Sequence, residues 1–254
     1  MPTTFWTSFW WVIVGFLPSL VWLLFFLHKD SHPEPRAMLI KTFLMGIILS
    51  PLAIVFQLFA VQVWSIVFGD MPQLVQQISW VVLWAAFVEE SVKFLAVRFT
   101  VLRDPAFDEP VDGMIYLITA ALGFAAMENI LVLFKVLQDP LVANPVNLAL
   151  STLLLRFTGA TLLHALSSAL VGYFLALAWF FQHHRAKLIW VGIILATVFH
   201  FAFNEFINSP TAGQGKEFAA LAWTTALLVL MAFLVSILFD KIKERHAKET
   251  VRSA

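Results

Sequence analysis

The chain has 254 residues, of which 61% are hydrophobic and only 13% are charged. A soluble domain carries about 25% charged residues, so this composition excludes an ordinary water-soluble protein and predicts one surrounded by lipid. Basic and acidic residues balance at 16 each, which argues against nucleic-acid binding. The absence of cysteine excludes disulfides, a cysteine nucleophile and a thiolate zinc site.

Seven apolar stretches reach the roughly 20 residues that a membrane-spanning helix needs. In chain order they are residues 5–27, 38–68, 74–102, 111–137, 148–181, 187–208 and 217–240. The second and the fifth are long enough to tilt, or to break near Pro51 or Gly159, and an eighth, re-entrant segment remains possible. The first has no basic residue before it and no small-residue cleavage site, so we expect a retained helix. The pattern predicts an all-α, polytopic transmembrane helix bundle that forms one domain over residues 1–254.

The short polar connectors between these stretches differ in basic charge. Alternate connectors and the C-terminal tail hold Lys29, Arg36, Arg103, Arg185, Lys187, Lys241, Lys243, Arg245, Lys248 and Arg252. The opposite side has Lys216, with Lys135 near a helix end, and Arg156 is expected to snorkel to that interface. Because basic residues stay on the cytoplasmic side, the N-terminus is predicted outside and the C-terminus inside. An odd number of spans agrees with this orientation.

Five ionisable residues lie deep in the apolar stretches. They are Glu89 and Glu90 in "FVEESVKF", Glu128 in "GFAAMENI", His164 in "LLHALSS" and His200 in "FHFAFNE". Each costs at least ~2.5–3.5 kcal/mol at mid-bilayer. A helical rise of ~1.5 Å per residue brings all of them to the middle or outer half of a core ~30 Å thick. Such agreement among four helices predicts a single convergent site.

The acidic residues also have purely structural interpretations. Lys93 lies four residues after Glu89 and three after Glu90, so it can form a helix-face ion pair with either one. That pair would leave the second carboxylate unexplained, and two neighbouring acids in a low dielectric do not both ionise easily. Glu128, with Asn129 beside it, can instead hydrogen-bond to another membrane helix.

The two deep histidines differ in their surroundings. His164 can be satisfied by Ser167 or Ser168, which follow it by one turn. His200 and Asn204 lie one turn apart on the same face of a helix, so their side chains can act on one object. A packing role remains an alternative for both histidines.

Two kinds of hydrolytic chemistry fit these residues. Two histidines and one glutamate form a catalytic zinc set that leaves a position open for water. His164, His200 and Glu128 could form that set, with Glu89 or Glu90 accepting the proton of the water. In a metal-free alternative a glutamate activates the water, while histidine and asparagine stabilise the oxyanion. The spacing does not choose between the two, and no HExxH motif ties two ligands to one helix.

Four ordered elements resemble the PrsW family of intramembrane proteases. They are "EESVKF", "DEPVDGMIYLITAALGFAAMENI", "RFTGATLLHALSSALVGY" and "HFAFN", between about residues 84 and 204. The resemblance implies a multi-pass protease of the bacterial cytoplasmic membrane, with a catalytic core over residues 74–208. It implies a membrane-anchored, single-pass substrate such as an anti-sigma factor. It also implies that Glu89 and Glu90 are the catalytic acid pair, and that the other site residues are Glu128, His164, His200 and Asn204.

The chain departs from the wider group that includes the CAAX-prenyl proteases and the Abi proteins. That group usually has EExxxR as its first motif and a histidine at the end of its second. Here Lys93 replaces the arginine at a shifted spacing, and Glu128 stands where that histidine would be. We therefore do not expect CAAX substrates.

Two other functions compete with a protease. Intramembrane glutamate and histidine also mark proton pathways, so a proton-coupled transporter is one alternative. A transporter favours repeated halves, and the sequence has no internal repeat. The other alternative is a non-catalytic scaffold built on a protease-like fold.

Overall fold

The fold consists of long helices joined by short connectors. The structure, a computed structural model, describes residues 5–30, 32–68, 80–208 and 217–253. Within these ranges there are eight α-helices: α1 (Phe5–Leu27), α2 (Arg36–Phe68), α3 (Trp80–Thr100), α4 (Asp112–Gln138), α5 (Pro145–Thr158), α6 (Ala160–Phe180), α7 (Arg185–Asn208) and α8 (Glu217–Ser253). A 3₁₀ turn at Gln182–His184 connects α6 to α7. The prediction of an all-α, polytopic helix bundle is confirmed.

Six segments in the described chain are long and apolar enough to cross a membrane. They correspond to α1, α2, α4, α5 with α6, α7, and α8. The predicted third span contains α3, whose 21 residues include Glu89, Glu90, Lys93 and Arg98. Because of these charges, α3 is not among the six candidate membrane spans. It nevertheless packs inside the bundle, against α2, α4, α6 and α7. Residues 74–79 of that predicted span lie outside the described residues.

The predicted fifth span is two helices, because the chain bends at Gly159. Gly159 has φ −103° and ψ −94°, which are not helical angles. A Cβ at this position would lie 2.8 Å from the carbonyl oxygen of Leu155, so a side chain would crowd the bend. Pro51, the other predicted break, lies inside the continuous helix α2.

The central helix is α4, which packs against α1, α2, α3, α5 and α6. Its first half is buried on all sides, from Asp112 to Ala126. Small residues allow this close packing: a Cβ on Gly123 would lie 2.0 Å from the carbonyl oxygen of Phe43 in α2. A Cβ on Gly172 of α6 would lie 2.5 Å from the carbonyl oxygen of Gly113 in α4. The polar residues of α3, α6 and α7 therefore meet those of α4 at short range.

Candidate active site

Glu90 is the most completely hydrogen-bonded carboxylate of the site. Its Oε1 accepts hydrogen bonds from Lys93 Nζ at 2.7 Å and Ser167 Oγ at 2.9 Å. Nδ1 of His200 lies 2.9 Å from the same oxygen, and Ser168 Oγ donates to Oε2 at 3.0 Å. Glu90 is fully buried, so these four donors replace the water that a carboxylate otherwise needs. They join α3, α6 and α7 through one side chain.

Lys93 links the acid of α3 to the first histidine. Besides Glu90, its ammonium group lies 2.8 Å from Nδ1 of His164 and 5.0 Å from the ring centroid of Phe124. An ammonium group can only donate, so Nδ1 of His164 accepts this hydrogen bond. The proton of the neutral imidazole is then on Nε2, which faces Oε2 of Glu128 at 2.8 Å. His164 is thus oriented from both sides.

His200 is oriented in the same manner by Glu90. Its Nδ1 donates to Oε1 of Glu90, because a carboxylate can only accept. This contact leaves Nε2 of the neutral ring as an acceptor, and Nε2 faces Oε2 of Glu89 at 3.6 Å. The two imidazole rings meet edge to face, with centroids 5.1 Å apart. Each histidine therefore has one nitrogen held by a carboxylate; the other nitrogen of His200 is turned toward Glu89, and that of His164 lies between Lys93 and Glu89.

Glu89 differs from Glu90 in having an unsatisfied oxygen. Its Oε1 accepts a hydrogen bond from Gln57 Nε2 of α2 at 3.2 Å. Its Oε2 is buried and has no hydrogen-bond partner among the described residues. This oxygen lies 3.6 Å from Nε2 of His200 and 4.0 Å from Nδ1 of His164. Acceptor atoms that face one another across such distances require a cation, a proton or a water between them.

Glu128 connects the site to the bend between α5 and α6. Arg156 donates from Nη2 to Oε2 of Glu128 at 3.1 Å and from Nε to Oδ1 of Asn129 at 2.6 Å. Nδ2 of Asn129 in turn donates to Oγ1 of Thr161 at 3.2 Å. The interpretation of Arg156 as a snorkelling residue is therefore wrong: its side chain is about one-fifth exposed and turns inward to the acids of α4.

The donor atoms of Glu89, His164 and His200 lie within 4.8 Å of one another, which makes them a group that could hold a metal ion. The separations of 3.6 and 4.0 Å are close to the ~3.4 Å expected between ligands arranged tetrahedrally at ~2.1 Å from zinc. Metal-bound histidines usually donate their other N–H to a carboxylate, as both histidines do here. Lys93 contacts Nδ1 of His164, so a metal and Lys93 compete for that nitrogen. If Lys93 gives up its contact with this nitrogen, Glu89, His164 and His200 fit a metal ion.

The structure brings together five of the six residues singled out in the sequence: Glu89, Glu90, Glu128, His164 and His200. Asn204 lies one turn after His200, is partly exposed, and makes no side-chain hydrogen bond within the described ranges. The metal set expected from the sequence contained Glu128, whereas the group with suitable donor distances contains Glu89 instead. In the structure Glu128 holds the far nitrogen of His164.

The sequence analysis missed several partners of these residues. Gln57 gave no signal, since a single glutamine in a long apolar helix has no distinctive spacing. Ser167 and Ser168 were expected near His164, but their hydroxyl groups donate to Glu90. Lys93 pairs with Glu90 rather than with Glu89. Helical spacing allowed each of these contacts, but only the rotation of each packed helix determines which one forms.

A family model described as "PrsW family intramembrane metalloprotease" matches residues 34–243, which is most of the chain. The chain belongs to this family. The resemblance seen in the sequence is confirmed, and with it the assignment as an intramembrane protease. The match covers every helix that contributes a side chain to the site, from Gln57 in α2 to His200 in α7.

Individual PrsW relatives match over most of their own length. Protease PrsW of Geobacillus kaustophilus (strain HTA426) is 30% identical over 194 residues, which are 76% of this chain and 77% of the relative. Protease PrsW of Clostridioides difficile (strain 630) is 26% identical over 243 residues, or 93% and 92% of the two chains. Protease PrsW of Bacillus subtilis (strain 168) is 26% identical over 225 residues. No solved structure matches the chain significantly.

Proposed function

We propose that this chain hydrolyses a peptide bond of a membrane-anchored protein at the cluster formed by Glu89, His164 and His200. The observation that carries the proposal is the orientation of the two imidazoles. One nitrogen of each is held by a carboxylate, Glu128 or Glu90. The other lies 3.6 Å (His200) or 4.0 Å (His164) from the unsatisfied Oε2 of Glu89, and that of His164 also accepts a hydrogen bond from Lys93. A purely structural ion-pair network would satisfy that buried oxygen rather than leave it without a donor.

The metal that the family description implies is held, in this proposal, by Glu89, His164 and His200. Zinc suits the set, because neutral imidazole and carboxylate are its usual ligands where no cysteine is present. When bound there, zinc polarises the substrate carbonyl and lowers the pKa of a bound water to ~7. Glu90 and Glu128 fix the tautomer and the ring orientation of the two histidines.

The chain's own groups have separate tasks in the hydrolysis. In the metal-bound form Glu89 Oε1, the oxygen that is not a metal ligand, accepts the proton of the water as the water oxygen bonds to the carbonyl carbon, and the same proton then passes to the leaving amine nitrogen as the C–N bond breaks. Gln57 donates to this oxygen and orients the carboxylate. The Asn204 amide, one turn from His200, donates to the oxygen of the tetrahedral intermediate. In the metal-free alternative Glu89 Oε2 has the same task, and His200 joins Asn204 as a donor only with a proton on Nε2 as well as on Nδ1.

An apolar cavity beside the site supports a membrane-anchored substrate. It has a volume of about 760 Å³ and is bordered by α5, α6, α7 and α8, with Leu162, Phe203 and Leu228 among its lining residues. Among the described residues that line it, the one with a charge is Arg156, which contacts Glu128. An apolar segment that enters here from the lipid comes within one side chain of the glutamate and histidine cluster. We keep an anti-sigma factor as the expected substrate, on the family resemblance.

The location and the extent of the catalytic unit follow the same proposal. We place the chain in the bacterial cytoplasmic membrane, with its N-terminus outside and its C-terminus in the cytoplasm, from the distribution of basic residues. The catalytic core is residues 74–208 within one membrane domain. The other helices complete the bundle around it, as α1 and α2 do by packing on α4.

The first experiment measures metal in the purified chain by mass spectrometry, without chelators. We expect about one zinc per chain in the wild type and a loss of at least tenfold in occupancy in His200→Ala. His184→Ala is the matched control, because His184 is an exposed histidine in the connector between α6 and α7. Absence of metal from the wild type would contradict the metal-bound form and leave the metal-free form to the cleavage assay.

The cleavage assay decides between a protease and its alternatives. The chain is reconstituted in liposomes with a single-pass membrane protein that carries an anti-sigma factor segment, and products are followed by mass spectrometry. We expect cleavage by the wild type and by His184→Ala, and none by Glu89→Gln or His200→Ala. Metal binding without cleavage of any membrane-anchored substrate would favour a scaffold, and proton uptake coupled to solute entry would favour a transporter.

A further inference from the structure

A second cavity lies at the C-terminal end of α3. It shares no lining residue with the apolar cavity beside the active site. It has a volume of about 730 Å³ and is bordered by the C-terminal half of α3, the 3₁₀ turn and the first turns of α7. Arg98, Arg103 and Arg185 line it together with His183. None of these residues belongs to the active site, and the proposed function uses none of them.

The three arginines of this cavity have no acidic partner in the part of the chain that the structure describes. No carboxylate of the described chain forms an ion pair with Arg98, Arg103 or Arg185. Asp104 is the nearest acid in sequence, and it borders a neighbouring cavity that Arg98 and Arg103 also line. Like charges gathered at one opening repel one another unless an anion lies between them. Guanidinium groups match the oxygens of a phosphate, often with two hydrogen bonds each.

Apart from Ser91 and Gln182, the rest of the cavity wall is apolar. Phe94 and Leu95 of α3 and Ile189, Trp190 and Ile193 of α7 continue the cavity from the arginines into the bundle. The charged groups lie where the helices end, and the apolar groups lie along the helices. This distribution matches a molecule with an anionic head and a hydrocarbon tail, which is the form of an anionic phospholipid at a membrane surface.

We propose that this cavity binds an anionic phospholipid, with its phosphate among Arg98, Arg103 and Arg185 and an acyl chain along Leu95, Ile189 and Ile193. Such a lipid contacts both α3, which carries Glu89 and Glu90, and α7, which carries His200. It thereby connects two helices of the active site at a distance from the reacting groups. A free phosphate would use the arginines alone and would leave the apolar wall without an occupant.

The test is native mass spectrometry of the full chain in detergent, with added phosphatidylglycerol or phosphatidylcholine. We expect the wild type to bind phosphatidylglycerol more tightly than phosphatidylcholine. Arg98→Gln with Arg185→Gln should weaken phosphatidylglycerol binding about 30-fold, at about fivefold for each charge removed. Arg36→Gln is the matched control, since Arg36 is an exposed arginine at the start of α2 that does not line the cavity.

Each further outcome of this test has a defined meaning. Equal binding of the two lipids, or unchanged binding in the double variant, overturns the proposal. Binding of glycerol phosphate as tight as that of phosphatidylglycerol also overturns it, because the apolar wall then contributes nothing. An acidic peptide that displaces the lipid with higher affinity would assign the cavity to a protein segment instead. If the double variant does not fold, Arg103→Gln alone, at an exposed position after α3, serves in its place.

Discussion

Glu89 and Glu90 are neighbours in the chain, yet their carboxylates have different surroundings. Glu90 accepts four hydrogen bonds, whereas one oxygen of Glu89 has no donor within the described residues. We expect Glu89→Gln to lower the cleavage rate about 10²–10⁴-fold and to leave the Tm close to that of the wild type. Glutamine keeps the size of the side chain and the oxygen that Gln57 contacts.

Glu90→Gln should behave differently, because Glu90 is the acid that pairs with the buried Lys93 among the described residues. An uncompensated buried charge costs about 3–5 kcal/mol, so we expect a clear fall in the Tm as well as in activity. Both variants are compared by thermal unfolding in detergent and by cleavage in liposomes. A stable Glu90→Gln beside an unstable Glu89→Gln would reverse the two roles.

Much of the site could be predicted from single residues, and the reason is energetic. A charge inside a membrane is costly, so Glu89, Glu90 and Glu128 each required an explanation from the sequence alone. The partners that satisfy them could not be predicted in the same way. Arg156 lies near a helix end, where snorkelling was the simpler interpretation, but the bend at Gly159 turns its helix toward α4. Contacts of this kind depend on helix rotation, which apolar periodicity in a buried bundle does not fix.

The contact between α2 and α4 depends on the absence of a side chain at Gly123. A Cβ there would lie 2.0 Å from the carbonyl oxygen of Phe43, a backbone atom that cannot move by itself. We expect Gly123→Ala to destabilise the chain by about 1–3 kcal/mol, measured as a lowered Tm. It should also reduce cleavage, because α2 positions Gln57 against Glu89. A destabilisation would be informative, because replacing glycine by alanine normally stabilises a helix by about 1 kcal/mol.

Gly15→Ala in α1 is the matched control for this substitution. Its Cβ would meet Cγ1 of Ile130 at 2.7 Å, so a shift of one side chain, rather than of a backbone carbonyl, relieves the contact. We therefore expect Gly15→Ala to lower the Tm less than Gly123→Ala does and to retain cleavage. Equal destabilisation by both substitutions would mean that the α2–α4 contact is not specially close-packed.

The helices themselves show why some element boundaries could be predicted and others could not. A bend was expected near Pro51 or Gly159, and only Gly159 bends the chain out of helical geometry. Proline removes one hydrogen bond but can remain inside a membrane helix, since neighbouring groups compensate for the lost bond. The predicted last span ended at residue 240, but α8 continues to Ser253 because its polar C-terminal residues still favour a helix. Apolar length predicts where a span lies, not where its helix ends.

The connector between α1 and α2 carries a pH-dependent contact. Glu34, between α1 and α2, is buried and accepts a hydrogen bond from the Tyr116 hydroxyl at 2.5 Å. Burial raises the pKa of Glu34 above the 4.5 of a free glutamate, and the nearby Asp30 and Asp108 raise it further. The folded state therefore binds a proton more tightly than the unfolded chain does. Stability is fully present below the unfolded pKa and is lost as the pH rises through the folded value.

We therefore expect the Tm to fall as the pH rises from 4.5, the value of a free glutamate, toward neutral, and Glu34→Gln to flatten this dependence. The measurement is thermal unfolding in detergent across that range. Glu244→Gln is the control, because Glu244 is fully exposed in α8 and should leave the slope unchanged. A Glu34→Gln variant with the slope of the wild type would assign the dependence to other groups.

The connectors that are rich in basic residues meet at one end of the molecule. Lys243 of α8 donates to the carbonyl oxygen of Lys29, which follows α1. Arg245 lies over the ring of Phe181, next to the 3₁₀ turn, and His32 pairs with Glu109 in the connector before α4. This grouping agrees with the alternation of basic connectors in the sequence. The side of the membrane that this end faces follows only from the basic-residue bias.

Single cysteines test that orientation directly, because the chain has no cysteine of its own. Leu141 is 92% exposed in the connector between α4 and α5, and His183 is exposed in the connector between α6 and α7. If the basic end is cytoplasmic, an impermeant thiol reagent labels Leu141→Cys on intact cells and labels His183→Cys only after the membrane is opened. The two positions control for each other, since both are exposed and neither contributes to the active site. If His183→Cys is labelled on intact cells and Leu141→Cys only after the membrane is opened, the basic end lies outside. The cavity lined by Arg98, Arg103 and Arg185 would then bind its lipid from the outer leaflet.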